Sequence, residues 1–502
     1  MANKKKVLLF NPWATSYHPR LPNSILHIAA SIEGLYDYFI VDGNLEKEPW
    51  EKIENYIKTE NIGYFGCTVM PGPQLKQAIP YAKKIKEKYP DIKIIWGGYF
   101  PSSYPTVTLN SGYVDVIANG MGDKCFPDLL ECFEKNEPIE HISNIIYKSE
   151  DKIIKTKKDK IYDLDELNDY PFKKLNSFYP IEKYLAKTHL GSKTIAYHSS
   201  FGCPFTCSFC AVVPIYNATW KGKSAELIYK DVKYLKDNYG ANAIEFHDNN
   251  FFVSEKRTVE FANLIKSENM IWWGQARIDT LDKFSDKSLF LIRESGCTII
   301  YFGAESGNDE ILKQMDKGGT QTVELMLSFA ERLKKFDIIP EYSLILGTPA
   351  SSDNQVIENL NNDISFIRKL KKINPKIEIV IYTYNPIPID GSEIHEKAVE
   401  NGFKYPETLE DWISSDYESF NLRKTYLTPW LKPKIMNKIH NFNTVFNGFY
   451  PTFTDVKLTP FMIKLLKTIS YWRYKTQIYN YPKEIRFFHK ILKYRQPEIE
   501  GF

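Results

Sequence analysis

The chain has 502 residues and a formal net charge of +3; 43% of its residues are hydrophobic, 25% are charged and 15% are aromatic. This length exceeds one ordinary domain, and the composition is that of a globular protein. No apolar run approaches the roughly 18 residues that cross a bilayer, and the apolar stretch after the basic start is too short for a signal peptide. We therefore expect a cytoplasmic protein with no transmembrane segment and no nucleic-acid partner.

Residues 1–135 alternate short apolar runs with stretches of helical spacing. The predicted strands cover residues 6–10, 37–42, 61–69, 93–98 and 115–123, and helices are predicted over 24–32 and 74–90. This alternation predicts an α/β domain with a doubly wound parallel sheet. Such a sheet binds ligands in the crevice at the carboxyl ends of its strands.

Residues 136–190 lose this rhythm, and we predict that they form a linker packed over the domain junction. A second alternating series occupies residues 191–405. Its predicted strands cover residues 193–200, 243–248, 271–277, 298–306, 340–347 and 377–388. Six such units predict a partial (β/α)6 barrel, short of the eight units of a closed one.

The C-terminal part, residues 406–502, is predicted to be a mainly helical domain. Residues 401–502 contain 16 Lys and Arg against 9 Asp and Glu, together with 22 aromatic residues. We expect this domain to close the active site over a partly apolar substrate. The charge also suits an anionic partner or a peripheral membrane contact, and the simplest interpretation is an aromatic core with solvated lysines.

Three of the seven cysteines lie close together, at Cys203, Cys207 and Cys210. The others, which we expect to be small buried hydrophobes, are Cys67, Cys125, Cys132 and Cys297. Clustered thiols in a reducing compartment indicate a metal rather than disulfides. A four-iron cluster takes four cysteines, so three would leave one iron open. A zinc site completed by His198 is the alternative, but zinc sites usually contain two cysteine pairs and no second pair exists here.

The spacing Cys-x-x-x-Cys-x-x-Cys, with Phe209 before the last cysteine, resembles the signature of the radical S-adenosylmethionine superfamily. The resemblance implies that a [4Fe-4S] cluster binds S-adenosylmethionine and cleaves it to a 5′-deoxyadenosyl radical. It also implies an electron donor such as flavodoxin or ferredoxin. We expect this chemistry at the mouth of the barrel, because the motif follows the first strand of the second series.

Five further segments resemble segments of the same superfamily: FGAESG (302–307), EFHDNNFF (245–252), QARIDTLD (275–282), YSLILGTP (342–349) and YNPIPIDG (384–391). The resemblance implies catalytic roles for Glu305, Arg277 and Asp248. It implies cofactor contacts for Phe209, Glu305, Gly347, Pro386 and Pro388. Structural ion pairs are the alternative for Glu305 and Arg277. Ala350 and Ser351 depart from the superfamily pattern after Gly347.

The first domain resembles the cobalamin-binding module that is fused to many of these enzymes, through VLLFNP, WGGYFPSSYP (96–105) and VDVIANGMGD (114–123). The resemblance implies that Gly97, Gly98, Gly120 and Gly122 let the backbone approach a flat macrocycle, and ordinary turns are the alternative. The Asp-x-His-x-x-Gly motif that supplies a histidine to cobalt is absent. We therefore expect cobalamin without a protein ligand on cobalt, and His18 and His27 to be ordinary residues.

Together these resemblances predict a cobalamin-dependent radical enzyme that methylates an unactivated carbon of a small-molecule or partly apolar natural-product substrate. A ring-forming cyclase of the bacteriochlorophyll type is the alternative enzyme. A non-catalytic cobalamin-binding sensor or assembly subunit is the alternative from another class.

Overall fold

The computed structural model describes residues 4–15, 18–317, 319–389, 391–417, 427–452 and 458–492. The first sheet begins with five parallel strands, β1 to β5, at Lys6–Asn11, Tyr38–Asp42, Ile62–Thr68, Lys93–Gly97 and Val116–Ala118. Their spatial order is β2-β1-β3-β4-β5. The central strands are apolar on both faces because helices cover both sides of such a sheet. The predicted doubly wound sheet is confirmed.

The helices of this first unit, α1 to α6, are Asn23–Ile32, Pro49–Thr59, Leu75–Lys88, Tyr99–Ser103, Pro105–Asn110 and Gly122–Lys135. They alternate with the strands as a doubly wound fold requires. The last of them ends at Asn136, whose left-handed backbone (φ 54°) accommodates the chain reversal.

The segment predicted as a linker contains two strands that the sequence analysis missed. Strands β6 (Ile145–Ser149) and β7 (Lys152–Lys155) form an antiparallel hairpin, and β6 pairs antiparallel with β5. The hairpin extends the first sheet to seven strands. The hydrophobic alternation of this hairpin is weak because it lies at the sheet edge, where only one face needs apolar side chains. β7 has one lysine at each end of its two isoleucines. Helix α7 (Phe172–Phe178) follows within the same segment.

The second sheet has six parallel strands in the order β15-β14-β13-β12-β11-β8. Their bounds are Thr194–Tyr197 (β8), Ala243–Phe246 (β11), Ile271–Ala276 (β12), Cys297–Glu305 (β13), Ile339–Leu346 (β14) and Glu378–Thr383 (β15). A small antiparallel pair, β9 (Ser200–Gly202) and β10 (Trp220–Gly222), lies after the first of them. All six predicted strands are therefore present, and they are consecutive neighbours in one sheet.

Helices α8 to α16 accompany this sheet at Val212–Tyr216, Ala225–Tyr239, Glu255–Ile265, Ile278–Leu281, Asp286–Glu294, Asp309–Gln314, Val323–Leu333, Asp353–Ile373 and Glu393–Glu400. Most begin at a Ser, Thr or Asn whose side chain accepts a hydrogen bond from a backbone N–H of the first turn. Examples are Ser224 before α9, Ser254 before α10 and Ser352 before α15. These caps satisfy N–H groups that a helix leaves unpaired, so they fix where each helix starts.

The described part of the C-terminal region is helical, with α17 to α20 at Leu409–Trp412, Pro433–Phe449, Pro460–Thr476 and Lys483–Ile491. Residues 418–426, 453–457 and 493–502 of the predicted C-terminal domain lie outside the described residues. Trp412 packs against Phe100 and Tyr104 of the first unit, with ring centroids 4.9 and 4.3 Å away. Trp430 donates to the carbonyl of Gly347 in the second unit at 2.9 Å. The region therefore contacts both sheets.

Among the described residues, no helix combines the length and the apolar composition needed to cross a membrane.

Candidate active site

The cysteine loop leaves the carboxyl end of β8 and is held down along its length. The Ser208 amide donates to the carbonyl of Met315 at 3.0 Å, and the Ser208 hydroxyl donates to that of Gln314 at 2.8 Å. Thr206 donates to Asp316 at 2.7 Å. From the other side, Ser392 donates to the Ser208 carbonyl at 2.6 Å. The loop that carries the three thiols is thus fixed between the segment after α13 and the start of α16.

The three cysteines suit an iron–sulfur cluster. Cys207 is buried and Cys203 and Cys210 are half-buried, all three as free thiols. Within the described ranges, no three His, Cys, Asp or Glu side chains converge as they would on a single ion. A four-iron cluster binds each thiolate through a different iron, so its ligands need not converge on one point. Burial raises the pKa of Cys210 to about 12, which means that the thiolate form depends on the bound metal.

Arg277, at the end of β12, links the cysteine loop to two other segments. Its Nη1 donates to the Cys207 sulfur at 3.0 Å, and its Nη2 donates to the Lys317 carbonyl at 2.8 Å. The same guanidinium forms a two-pronged pair with Asp279, at 2.9 and 2.7 Å. The ion pair that was the alternative for Arg277 is therefore present, and its catalytic role stays a prediction. The ring of Phe205 stacks 3.8 Å from the guanidinium.

We expect the Arg277→Gln variant to lower the midpoint potential of the cluster while iron content stays near that of the native protein. A hydrogen bond and a positive charge beside a cluster sulfur stabilise the more negative reduced state, and the variant removes both. Redox titration followed by paramagnetic resonance measures the shift. Arg277→Lys, which keeps the charge, should shift the potential less, and Arg293→Gln on the surface should not shift it. An unchanged potential in Arg277→Gln with full iron content would contradict this role.

Glu305 ends β13 in an unusual backbone conformation. Its φ is +66°, and the pairing with β14 shifts register between Gly303 and Glu305. A left-handed backbone is costly for a residue that is not Gly, Asn or Asp, and such strain concentrates at functional sites. The bulge turns the carboxylate toward the buried amine of Lys317, with Nζ 3.4 Å from Oε1. Gln321 donates to the Gly303 and Ala304 carbonyls and fixes the bulge.

Lys317 was missed by the sequence analysis. It is only 3% exposed, it lies beside Glu305, and its Nζ is 5.9 Å from the ring centroid of Phe209. The available signal was a lysine followed by two glycines directly after a helix, which is too common to single out. The expected alternative for Glu305, an ion pair with a lysine, is therefore present within the site itself.

Asp248 is fully buried at the end of β11 and holds the start of the cysteine loop. Its carboxylate accepts from the Ser199 amide at 2.6 Å and from the Ser200 hydroxyl at 2.7 Å, and the Ser199 hydroxyl also donates to it. Arg257 completes the group by donating to the Ser199 carbonyl at 3.1 Å. Asp248 positions the loop in this arrangement, and its direct catalytic role stays a prediction.

The remaining cofactor residues predicted in the barrel lie on the same edge. Gly347 follows β14 with φ +75°, and a Cβ there would lie 2.8 Å from Leu431 of the C-terminal region. Pro386, which is buried, and Pro388, which is half-buried, follow β15. Their contacts with S-adenosylmethionine stay a prediction.

The first sheet presents its carboxyl edge to the cysteine loop. Tyr99, directly after β4 and Gly98, donates to Asn249 at 2.9 Å, and Asn249 is the neighbour of Asp248. Burial, with the nearby Tyr216 and Cys210, raises the pKa of Tyr99 well above its usual value. The strand order 2-1-3-4-5 is the doubly wound order that binds a planar cofactor at this edge.

The four predicted glycines separate into two kinds. A Cβ on Gly97 would find no other atom closer than 3.8 Å, so Gly97 leaves the edge open and fits the close approach of a macrocycle. A Cβ on Gly98, whose φ is +99°, would lie 2.6 Å from the Val69 carbonyl oxygen, so a glycine there is required by the backbone and by the packing. A Cβ on Gly120 would lie 3.2 Å from the Ile215 carbonyl, and one on Gly122 would lie 2.8 Å from Ile28. These two glycines therefore allow close packing: Gly120 lets the first unit approach the second, and Gly122 lets α1 approach α6.

His27 is enclosed by the protein. It is 4% exposed, its ring centroid is 4.7 Å from that of Phe201, and its Nε2 is 3.5 Å from Asp123. Its Nδ1 is 3.5 Å from the Tyr170 hydroxyl, so both ring nitrogens, through which an imidazole would bind cobalt, face protein groups. His18 is exposed on the loop before α1.

A polar group inside the barrel was also missed. Glu245 and His247 alternate along β11 with Phe246, which packs into the aromatic core, so they point to the opposite, inner side. Arg20 of the first unit donates to Glu245 at 2.8 Å and also contacts His247. Burial alone would raise the pKa of Glu245, but Arg20 and His247 outweigh burial and lower this pKa to about 2. Burial lowers the pKa of His198, next to this group, to about 3, so its imidazole is neutral.

Residues 197–362 match the family model described as the radical SAM superfamily. An uncharacterized methyltransferase of Pyrococcus horikoshii is 26% identical over 454 residues, which cover 86% of this chain and 94% of the relative. An anaerobic magnesium-protoporphyrin IX monomethyl ester cyclase of Rubrivivax gelatinosus is 24% identical over 430 residues, which cover 81% and 74%.

Among solved structures, the chain is similar to the radical S-adenosylmethionine methyltransferase TsrM from Kitasatospora setae with cobalamin and a [4Fe-4S] cluster bound. The TM-score is 0.67 at 13% identity, and the match covers 98% of both chains. At this identity the match establishes the fold, including the order of sheet, barrel and helical region.

Proposed function

We propose that this chain, whose residues 197–362 match the radical SAM superfamily model, is a cobalamin-dependent radical S-adenosylmethionine methyltransferase that acts on an unactivated carbon of a small, partly apolar molecule. The observation that carries the proposal is the meeting of two strand edges. The end of β4 in the first sheet contacts the end of β11 in the barrel, because Tyr99 donates to Asn249. Asn249 is next to Asp248, which holds the start of the cysteine loop. A cofactor on the first edge and a substrate in the barrel mouth would then be neighbours.

The comparisons support the same assignment. The relative from Pyrococcus horikoshii is named a methyltransferase and matches almost over its full length. The solved methyltransferase of the same fold holds cobalamin together with a cluster. Gly97, at the end of β4, leaves space for such a macrocycle in this chain.

The chain's own residues have distinct tasks in this proposal. When bound, the cluster and S-adenosylmethionine supply a 5′-deoxyadenosyl radical, and cobalamin supplies the methyl group. Cys203, Cys207 and Cys210 hold the cluster, and Arg277 orients Cys207 and offsets its negative charge. Glu305, aimed by the bulge in β13 and paired with Lys317, binds the polar groups of S-adenosylmethionine.

The substrate would enter the barrel on the side of Glu245 and His198. Arg20 and His247 complete a polar group there, and Trp273 and Tyr301 add aromatic surface nearby, with ring centroids 6.0 Å apart. A neutral imidazole beside a carboxylate and a guanidinium can orient a substrate with both donors and acceptors, while the aromatic rings exclude water from the reacting carbon. We assign the electron supply to flavodoxin or ferredoxin and the location to the cytoplasm, where free thiols persist.

A test of the methyltransferase proposal needs no knowledge of the substrate. We expect the reduced, cobalamin-loaded protein to move a labelled methyl group from S-adenosylmethionine to its bound cobalamin, with one equivalent of S-adenosylhomocysteine per cobalamin. Chromatography of the labelled cofactor measures the transfer. Gly97→Val should abolish cobalamin binding and the transfer, because the side chain fills the open edge, and should leave the iron content unchanged.

A ring-forming cyclase is the second candidate, and the similarity to the Rubrivivax gelatinosus cyclase over 81% of this chain favours it. Formation of deoxyadenosine with no S-adenosylhomocysteine would support the cyclase and contradict methyl transfer. If neither product formed from a protein with full iron and cobalamin, the chain would be a sensor or assembly subunit.

A further inference from the structure

The last two described helices carry an unusual surface. Of the thirteen large apolar side chains that are exposed in the described part of the chain, seven lie between residues 461 and 491. They include Phe461 at 75% exposure, Trp472 at 46% and Phe487 at 61%. Monomeric proteins rarely expose large apolar groups in such density unless the surface binds something. We call the exposed side chains of α19, α20 and the loop between them the terminal patch.

The geometry of the helices places these side chains on one outer side. On α19, Phe461, Thr468 and Trp472 follow the spacing of a single helix face, and Leu466, Ser470 and Tyr474 lie on the opposite, buried face. On α20, Phe487 and Ile491 are one turn apart and exposed, while Ile485 is buried.

Packing on the inner side fixes this orientation. Tyr474 stacks on Phe449 of α18 with ring centroids 4.6 Å apart. A Cβ on Gly448 would lie 2.9 Å from Ile485, so α20 sits tightly on α18. The outward direction of the aromatic face is therefore set by the core beneath it.

The terminal patch is also strongly cationic. Five lysines are exposed on it: Lys464, Lys467, Lys475, Lys483 and Lys490. Glu484 is the one acidic residue between 458 and 492, and its carboxylate is held by Arg473. The lysines thus face solvent around an aromatic and aliphatic stripe with no acidic side chain of the same segment to neutralise them.

We propose that the terminal patch docks the enzyme on the surface of an anionic lipid bilayer. Helices that lie in a membrane interface have this composition, with Trp, Phe and Ile on one side and lysines around them. Aromatic rings insert at headgroup depth, and lysine ammonium groups remain near the lipid phosphates. A protein partner is less favoured by the same side chains, because lysine is depleted in protein interfaces. The proposal is independent of the reaction that the enzyme catalyses.

Flotation of the full-length, cluster-loaded protein with vesicles tests this docking. We expect binding to vesicles of equal phosphatidylcholine and phosphatidylglycerol, weak binding to pure phosphatidylcholine, and loss of binding in molar salt, where the screening length falls to about 3 Å. Replacing Lys464, Lys475 and Lys490 by glutamine should weaken binding on the order of a hundredfold, because each such lysine contributes about fivefold. Trp472→Ala and Phe487→Ala should each weaken it roughly tenfold.

A matched control uses exposed side chains far from the terminal patch, namely Lys283→Gln, Lys287→Gln and Leu35→Ala in one protein, which should bind like the native chain. Cleavage of S-adenosylmethionine in every variant shows that the fold is intact. Absence of binding to the mixed vesicles would overturn the proposal, and so would equal binding by the native and the lysine variants. A native dimer that Trp472→Ala dissociates, with no vesicle binding, would instead identify the terminal patch as a contact between two copies.

Discussion

Replacing Cys203, Cys207 and Cys210 together by alanine should remove the iron and the brown colour from anaerobically purified protein. In a four-iron cluster each thiolate would bind a different iron, whereas the loop that carries the cysteines is anchored at Ser208 and Thr206 by hydrogen bonds that need no iron. The fold should therefore persist, while the iron content should fall from about four atoms per chain to below detection. Iron analysis and the visible absorption spectrum measure the loss.

The scattered cysteines supply the matched control. Cys67, Cys125 and Cys297 are buried, and burial raises the pKa of the Cys67 and Cys297 thiols well above the usual value. A variant with these three replaced by alanine should keep its iron and colour. Full iron retention in the first variant would refute the cluster assignment, and iron loss confined to the second would move the cluster elsewhere.

Asp248→Asn should have the largest effect on stability. The buried carboxylate accepts hydrogen bonds from the Ser199 amide, the Ser199 hydroxyl and the Ser200 hydroxyl, and a hydrogen bond to a charged group contributes about 1.5–3 kcal/mol. The NH2 group of an asparagine cannot accept, so we expect a loss of about 3–5 kcal/mol and a weaker hold on the start of the cysteine loop. For a unit of this size, a loss of that magnitude lowers the unfolding midpoint on the order of 10 °C. Thermal unfolding followed by circular dichroism measures the change.

Asp286→Asn is the matched control for this carboxylate. Asp286 pairs with Arg332 at the surface, where an ion pair contributes about 0–1 kcal/mol to stability. The unfolding midpoint of the Asp286→Asn variant should therefore move by no more than about 2 °C. If Asp248→Asn unfolded at the native temperature and kept all its iron, the carboxylate would not be the anchor that its contacts indicate.

The parallel strands of both sheets could be predicted because each is a short apolar run that alternates with stretches of helical spacing. The pairing partners of β8 to β15 follow the chain order, which simple β/α repetition dictates. The hairpin β6–β7 was missed because an edge hairpin needs apolar side chains on one face alone, so its pattern resembles that of a loop. The C-terminal region was recognised as helical, but its contacts with both sheets arise from single side chains such as Trp412 and Trp430.

The cluster ligands could be predicted from the sequence alone, since three thiols within eight residues and an aromatic before the last need no partner from elsewhere in the chain. The folded chain alone shows that Lys317 lies beside Glu305, that Tyr99 of the first unit bonds Asn249 after β11, and that Arg20 enters the barrel beside Glu245. Periodicity and capping report on neighbours within a few residues along the chain. Lys317 meets Glu305 through the bulge in β13, and the other two contacts join residues 150 and 225 apart, which meet because the first unit packs on the second.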